Sequence, residues 1–87
     1  MDIDTTLQER GERYGKFVEH ARITQELKRT MFANMNYKLS DDQAEALEMI
    51  AHKLGRIVNG DPNYVDSWVD IAGYATLVAK RLQGEIV

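Results

Sequence analysis

The sequence predicts an all-α fold: a small helical bundle of three main helices with a short extra helix at the N-terminus, forming a single helical domain over residues 1–87. Three observations lead there. The chain has one proline and no run that alternates apolar and polar residues in the manner of a strand, so long helices are free to form. Apolar residues recur three and four apart through most of its length. Finally, cap signals divide the chain, first at Ser40 with Gln43 and then at Asn59-Gly60-Asp61-Pro62.

Taken in order, residues 5–13 suit a short first helix weakened by Gly11, and Gly15 breaks the chain after Arg13-Tyr14. Residues 16–36 carry Phe17, Ala21, Thr24, Leu27, Met31 and Met35 on one stripe, with Glu19, Arg22, Glu26 and Arg29 mostly elsewhere. A loop follows, closed by Ser40 and Gln43 in a capping-box pattern; Asp41 and Asp42 suit the positive end of the next helix. That helix is expected over 41–58, burying Ala44, Leu47, Ile50, Ala51, Leu54, Ile57 and Val58, and stopped by Asn59-Gly60 in a left-handed cap. Asp61 as N-cap and Pro62 in the first turn open a last helix over 62–82. Its core stripe reads Val65, Trp68, Val69, Ala72, Ala75, Val78, Ala79 and Leu82, with Gly73 placed for close helix approach.

Composition bounds the function. Eighty-seven residues with 44% hydrophobic and 29% charged content describe a soluble globular chain. A chain of this size buries only about 60% of its unfolded surface, so pairing with a second copy would help it. The net charge of −3 gives no electrostatic case for nucleic acid. Arg10, Arg13, Lys16, Arg22, Lys28 and Arg29 are interleaved with Glu9, Glu12, Glu19 and Glu26, the pattern of a solvated face. Without cysteine there are no disulfides or thiolate metal sites. The polar start MDIDTTLQERGER does not read as a secretory signal, no apolar run is long enough to span a membrane, and a cytoplasmic location is expected.

Candidate chemistry gathers in the second half. Glu45, Glu48 and His52 are three and four apart and share a helix face; Lys53 and Arg56 add cations nearby. Asp66 and Asp70 align in the same way on the last helix, with Tyr74 one turn further. Antiparallel packing of these two helices would set the rows opposite each other. Four converging carboxylates repel unless a hard cation, Mg²⁺ or Mn²⁺, sits between them. Such an ion orients water for attack on a phosphoanhydride, with Lys53 or Arg56 offsetting phosphate charge and His52 positioning the water. The plainer alternative is that these acids are a solvated face, Asp66 favours its first turn through the helix dipole, and Tyr64, Trp68 and Tyr74 are packing aromatics.

The segment ALEMIAHKLGRIVNGDPNYVDSWVDIAGYATLVAKRL, with Arg13-Tyr14-Gly15 and Phe17 upstream, resembles small phage and prophage proteins of unknown function over nearly the whole chain. Its K-x-x-R, loop and D-S-x-x-D-I-A-G-Y-A pattern is also similar to nucleotide-modification-associated domains. Those in turn resemble the MazG-like all-α nucleotide pyrophosphohydrolases. The resemblance implies a helical, oligomeric protein in which paired acidic motifs hold Mg²⁺ and a nucleoside triphosphate is cleaved to monophosphate and pyrophosphate. Asp66 and Asp70 match the second acidic motif, and Glu45 and Glu48 part of the first. The first motif usually reads E-E-x-x-E, and Ala44 stands at one doubled position. The second is normally E-x-x-D, whereas three residues separate Asp66 from Asp70.

Two functions stay open. One is Mg²⁺-dependent nucleotide binding or pyrophosphohydrolysis, with Glu45, Glu48, Asp66 and Asp70 as metal ligands, Lys53 and Arg56 on phosphates and His52 as the catalytic group. The other is a non-catalytic module binding a host or phage protein through Met31, Phe32, Met35 and Trp68. A homodimer is expected in both, because Trp68 and Ile71 put apolar surface on more than one face of the last helix.

Overall fold

Two of the helices begin where a side chain meets free N–H groups of the first turn. The computed structural model describes residues 2–87. In α1, Ile3–Tyr14, the Asp2 carboxylate accepts from the Asp4 N–H at 3.0 Å. Gly15 ends α1 at φ 79°, a conformation that favours glycine, and the chain turns directly into α2, Phe17–Ala33. The Ser40/Gln43 capping box opens α3, Asp41–Asn59, with the Ser40 N–H donating to Gln43 Oε1 at 3.0 Å. The last helix, α4, spans Val65–Leu82. Four helices and no strand are found among the described residues, so the extra N-terminal helix is a full three turns.

Two boundaries differ from the sequence expectation. Asp61 does not cap α4: its carboxylate turns back onto the Asn63 N–H at 2.9 Å, and the Pro62 carbonyl accepts from Trp68 Nε1. The helix therefore starts three residues later than predicted, with Tyr64 at its N-cap. Gly60 is not left-handed either, at φ −127°. It is required for space, since a side chain there would run into the backbone of Arg13 and Tyr14.

Helix α3 is the centre of the molecule. Gly55 faces α2, where an added Cβ would lie 2.6 Å from Thr24 Oγ1 and 3.0 Å from the His20 ring. Lys53 faces α4 through Asp70. Positions two apart on a helix point about 160° apart, so α2 and α4 flank α3 on nearly opposite sides. Among the described residues α2 and α4 make no contact with each other. The result is an open layer in which α2 and α4 meet only through α3, with α1 packed on the α2 and α3 end.

Such a layer has little interior. The buried apolar residues are Ala46, Ala51 and Ile57, and no large side chain is completely enclosed among the described residues. The stripe predicted as the core of α4 points mostly outward: Val65, Trp68 and Val69 are 63%, 53% and 59% exposed, and Ala72, Ala75, Ala79 and Leu82 are exposed too. The inward face is instead Ser67, Asp70, Ile71, Tyr74, Val78 and Arg81. Gly73 serves no close approach within the chain, since an added Cβ there meets nothing. The accessible surface is 6468 Å², against about 5,200 Å² for a folded monomer of this mass. The excess, roughly 1,200 Å², is more than one partner gives up in a standard protein interface, about 800 Å². The radius of gyration, 14.8 Å, likewise exceeds the roughly 12 Å of a compact chain of this length.

Candidate functional site

The acidic residues of α3 and α4 are placed separately rather than in one cluster. Asp70 accepts an ion pair from Lys53 at 3.0 Å, with the lysine side chain 11% accessible and the carboxylate 44%. Glu48 lies 3.7 Å from Lys28 of α2. Asp66 sits in the first turn of α4, near Tyr64, and its carboxylate holds the Tyr64 hydroxyl above the usual tyrosine range. Glu45 lines a shallow hollow of about 220 Å³ with Asp42, Tyr74 and Leu77. No group of three or more His, Asp or Glu side chains among the described residues is arranged to hold a metal ion. A single chain therefore gathers Lys53 with Asp70 but not the four carboxylates with one another. Lys53 is paired with an acid on the neighbouring helix.

At its far end this seam is clamped. Arg81 donates to both Asp42 oxygens at 2.7 Å and to Ser40 Oγ at 2.8 Å. The Arg81 hydrogen bonds, helped by the Ser40 hydroxyl, hold the Asp42 carboxyl down to about 2.

The other flank of α3 is built differently. His20 of α2 is buried, and its Nε2 donates to the His52 carbonyl at 2.9 Å; a carbonyl only accepts, so the proton is on Nε2. Thr24 Oγ1 lies 3.3 Å from the same nitrogen. The two imidazoles meet edge to face, with centroids 4.5 Å apart. Burial pushes His52 down to about 4, reinforced by the positive charge of Arg56 and neighbouring cations. It is neutral at pH 7. Arg56 lies over the Tyr14 ring, 4.0 Å from its centroid, and Arg13 over Tyr64 at 5.2 Å.

His52 and Arg56 thus reach a cleft of about 670 Å³ between the end of α1, the start of α2 and the second half of α3. Arg10, Tyr14, Lys16, Phe17 and His20 are also in its walls, and no carboxylate among the described residues lines it. Asn59 holds the corner: its Nδ2 donates to the carbonyls of Tyr14 at 2.9 Å and Lys16 at 3.0 Å. Spacing put His52 on a face with Glu45 and Glu48 and gave Arg56 only as a cation nearby; the contributions of Arg10, Lys16 and His20 are not visible in any spacing. The Arg13-Tyr14-Gly15 run followed by Phe17 was the available signal.

Fold and site together define an all-α protein of helical-layer architecture with a cationic cleft at one end. Residues 3–82 match the model of a domain of unknown function, DUF6378, and the chain belongs to that family. No curated protein and no solved structure matches it. Among the described residues, no helix is long and apolar enough to cross a membrane.

Proposed function

We propose that this chain works as a homodimer that binds a nucleoside triphosphate or related phosphoanhydride with Mg²⁺ or Mn²⁺, as a phage-type relative of the MazG-like pyrophosphohydrolases that its sequence resembles. The observation that carries the reading is the open layer, which exposes Val65, Trp68 and Val69 and leaves roughly 1,200 Å² more surface than a monomer of this mass. A second copy seated there would supply the missing half of a bundle. It would also offer Glu45 and Asp66, exposed in one chain, partners from another. One chain does not fit a metal by itself, because Glu48 and Asp70 are already neutralised by Lys28 and Lys53. In an assembled site a divalent ion would neutralise phosphate charge and activate water.

Calorimetry with Mg²⁺ and a nucleoside triphosphate, alongside a pyrophosphate-release assay, tests this. Metal-dependent heat and release are expected, and Glu45→Gln and Asp66→Asn should abolish release while preserving helix content. No heat with any nucleotide, or release untouched by both variants, rejects the enzyme. The lysine pairs favour a second reading, a non-catalytic module whose acids only hold the fold and whose exposed Trp68 and Met35 contact a host or phage protein. In that case Mg²⁺ gives no heat, and the same variants change stability alone.

A further inference from the structure

We infer that the cleft between α1, α2 and α3 is an anion site for a phosphate monoester carried on a planar ring, and that it fills without a metal. The first argument is charge. Arg10, Lys16 and Arg56 line one hollow, none of them has a carboxylate partner among the described residues, and the cleft wall contains no acid. The chain as a whole carries −3, so three uncompensated cations at one place are a local reversal of sign. Their mutual repulsion is relieved by an anion, and a concave low-dielectric wall strengthens the attraction.

The second argument is the aromatic surface. Phe17 is 71% exposed at the cleft mouth and packs into no core. Tyr14 lines the same wall, with Arg56 on its face. Guanidinium groups that bind phosphate beside aromatic rings that stack a flat group match a nucleotide-like ligand. The third argument is rigidity. Gly15 at φ 79°, the two Asn59 amide bonds and the bond from the Asp61 N–H to the Arg13 carbonyl fix the α1–α2 corner against the end of α3. The cations are thereby held in place before a ligand arrives. The volume, about 670 Å³, lies in the usual range for small-molecule sites. The hollow at Glu45, lined by Asp42 and Glu45, has the opposite charge and suits no anion.

The site shares the expectation of a nucleotide with the function proposed above but does not need its metal, and the test keeps the two apart. Calorimetry in EDTA compares a nucleoside 5′-monophosphate, inorganic phosphate and the unphosphorylated nucleoside. The monophosphate should bind most tightly, phosphate more weakly and the nucleoside least, with affinity falling as salt rises. Arg10→Gln with Lys16→Gln should weaken the monophosphate at least tenfold, and Phe17→Ala should erase its advantage over phosphate. Asp66→Asn should leave binding in EDTA unchanged even if it abolishes metal-dependent turnover. Absence of monophosphate binding in EDTA, or full affinity in the double variant, overturns the inference. Both changes are on exposed positions, and an unchanged helical spectrum confirms that the fold is intact.

Discussion

Along the α3–α4 seam, Asp70 lies 3.0 Å from Lys53 and Asp42 lies 2.7 Å from Arg81, while at the α1–α2–α3 cleft Arg10, Lys16 and Arg56 stand without a single acid. Both regions border the same helix, and both are tied by hydrogen bonds between elements. The seam spends its charge on holding two helices in register. The cleft holds charge that no acid among the described residues neutralises. Charge already paired belongs to the fold, and charge left over is available to something outside it.

Breaking the packing itself has the largest expected effect. Gly55→Val places a branched side chain against Thr24 and His20, and overpacking of this kind costs about 2–3 kcal/mol. Thermal unfolding should show a fall of many degrees, and a Tm within a degree of wild type would mean that α2 and α3 are not packed this way. Next comes Asp70→Asn, which leaves the nearly buried Lys53 ammonium facing an amide. Because the carboxylate is half exposed, the expected loss is about 1–2 kcal/mol in denaturant unfolding, well short of a fully buried pair. A neutral result would move Asp70 from the fold to a site.

His52 lies on the cleft side of α3, and its titration sharpens the comparison. Its ordinary value of 6.5 is pushed down to about 4 in the folded chain. The folded state therefore prefers the neutral ring: its contribution is complete above pH 6.5 and is lost as the pH falls toward 4. With screening of the half-exposed ring, about 1 kcal/mol should disappear across that window. NMR of the His52 ring should show no titration near pH 6.5; a midpoint there would contradict the burial. The smallest effect is expected from Arg10→Gln and Lys16→Gln, each within about 0.5 kcal/mol of wild-type stability, since neither holds an acid. That near-neutrality, set against the loss in Asp70→Asn, is the contrast between the two regions in its simplest form.

The helices and most of their ends were legible in the sequence, because caps such as Ser40 with Gln43 and breaks such as Gly15 act through neighbouring residues only. The inward face of α4 was not. Val65, Val69 and Ala72 repeat as regularly as Ser67, Ile71, Tyr74 and Val78, and a helix with apolar residues on more than one face gives periodicity little to choose by. A buried serine in the inward row made the wrong choice the more natural one. The acidic rows were readable as rows, but their lysine partners Lys28 and Lys53 follow from tertiary register, which spacing along one helix does not contain. The same holds for the cleft, whose cations come from three helices.

On the homodimer proposed above, one copy is an unfinished layer that a second closes across the exposed apolar face of α4 and α3. Multi-angle light scattering across a range of concentrations measures this directly. The expected result is a species of twice the 10.0 kDa chain mass that shifts toward the single-chain mass when Val69→Glu is introduced on the outer face of α4. A wild-type mass of 10.0 kDa at every concentration would contradict the account.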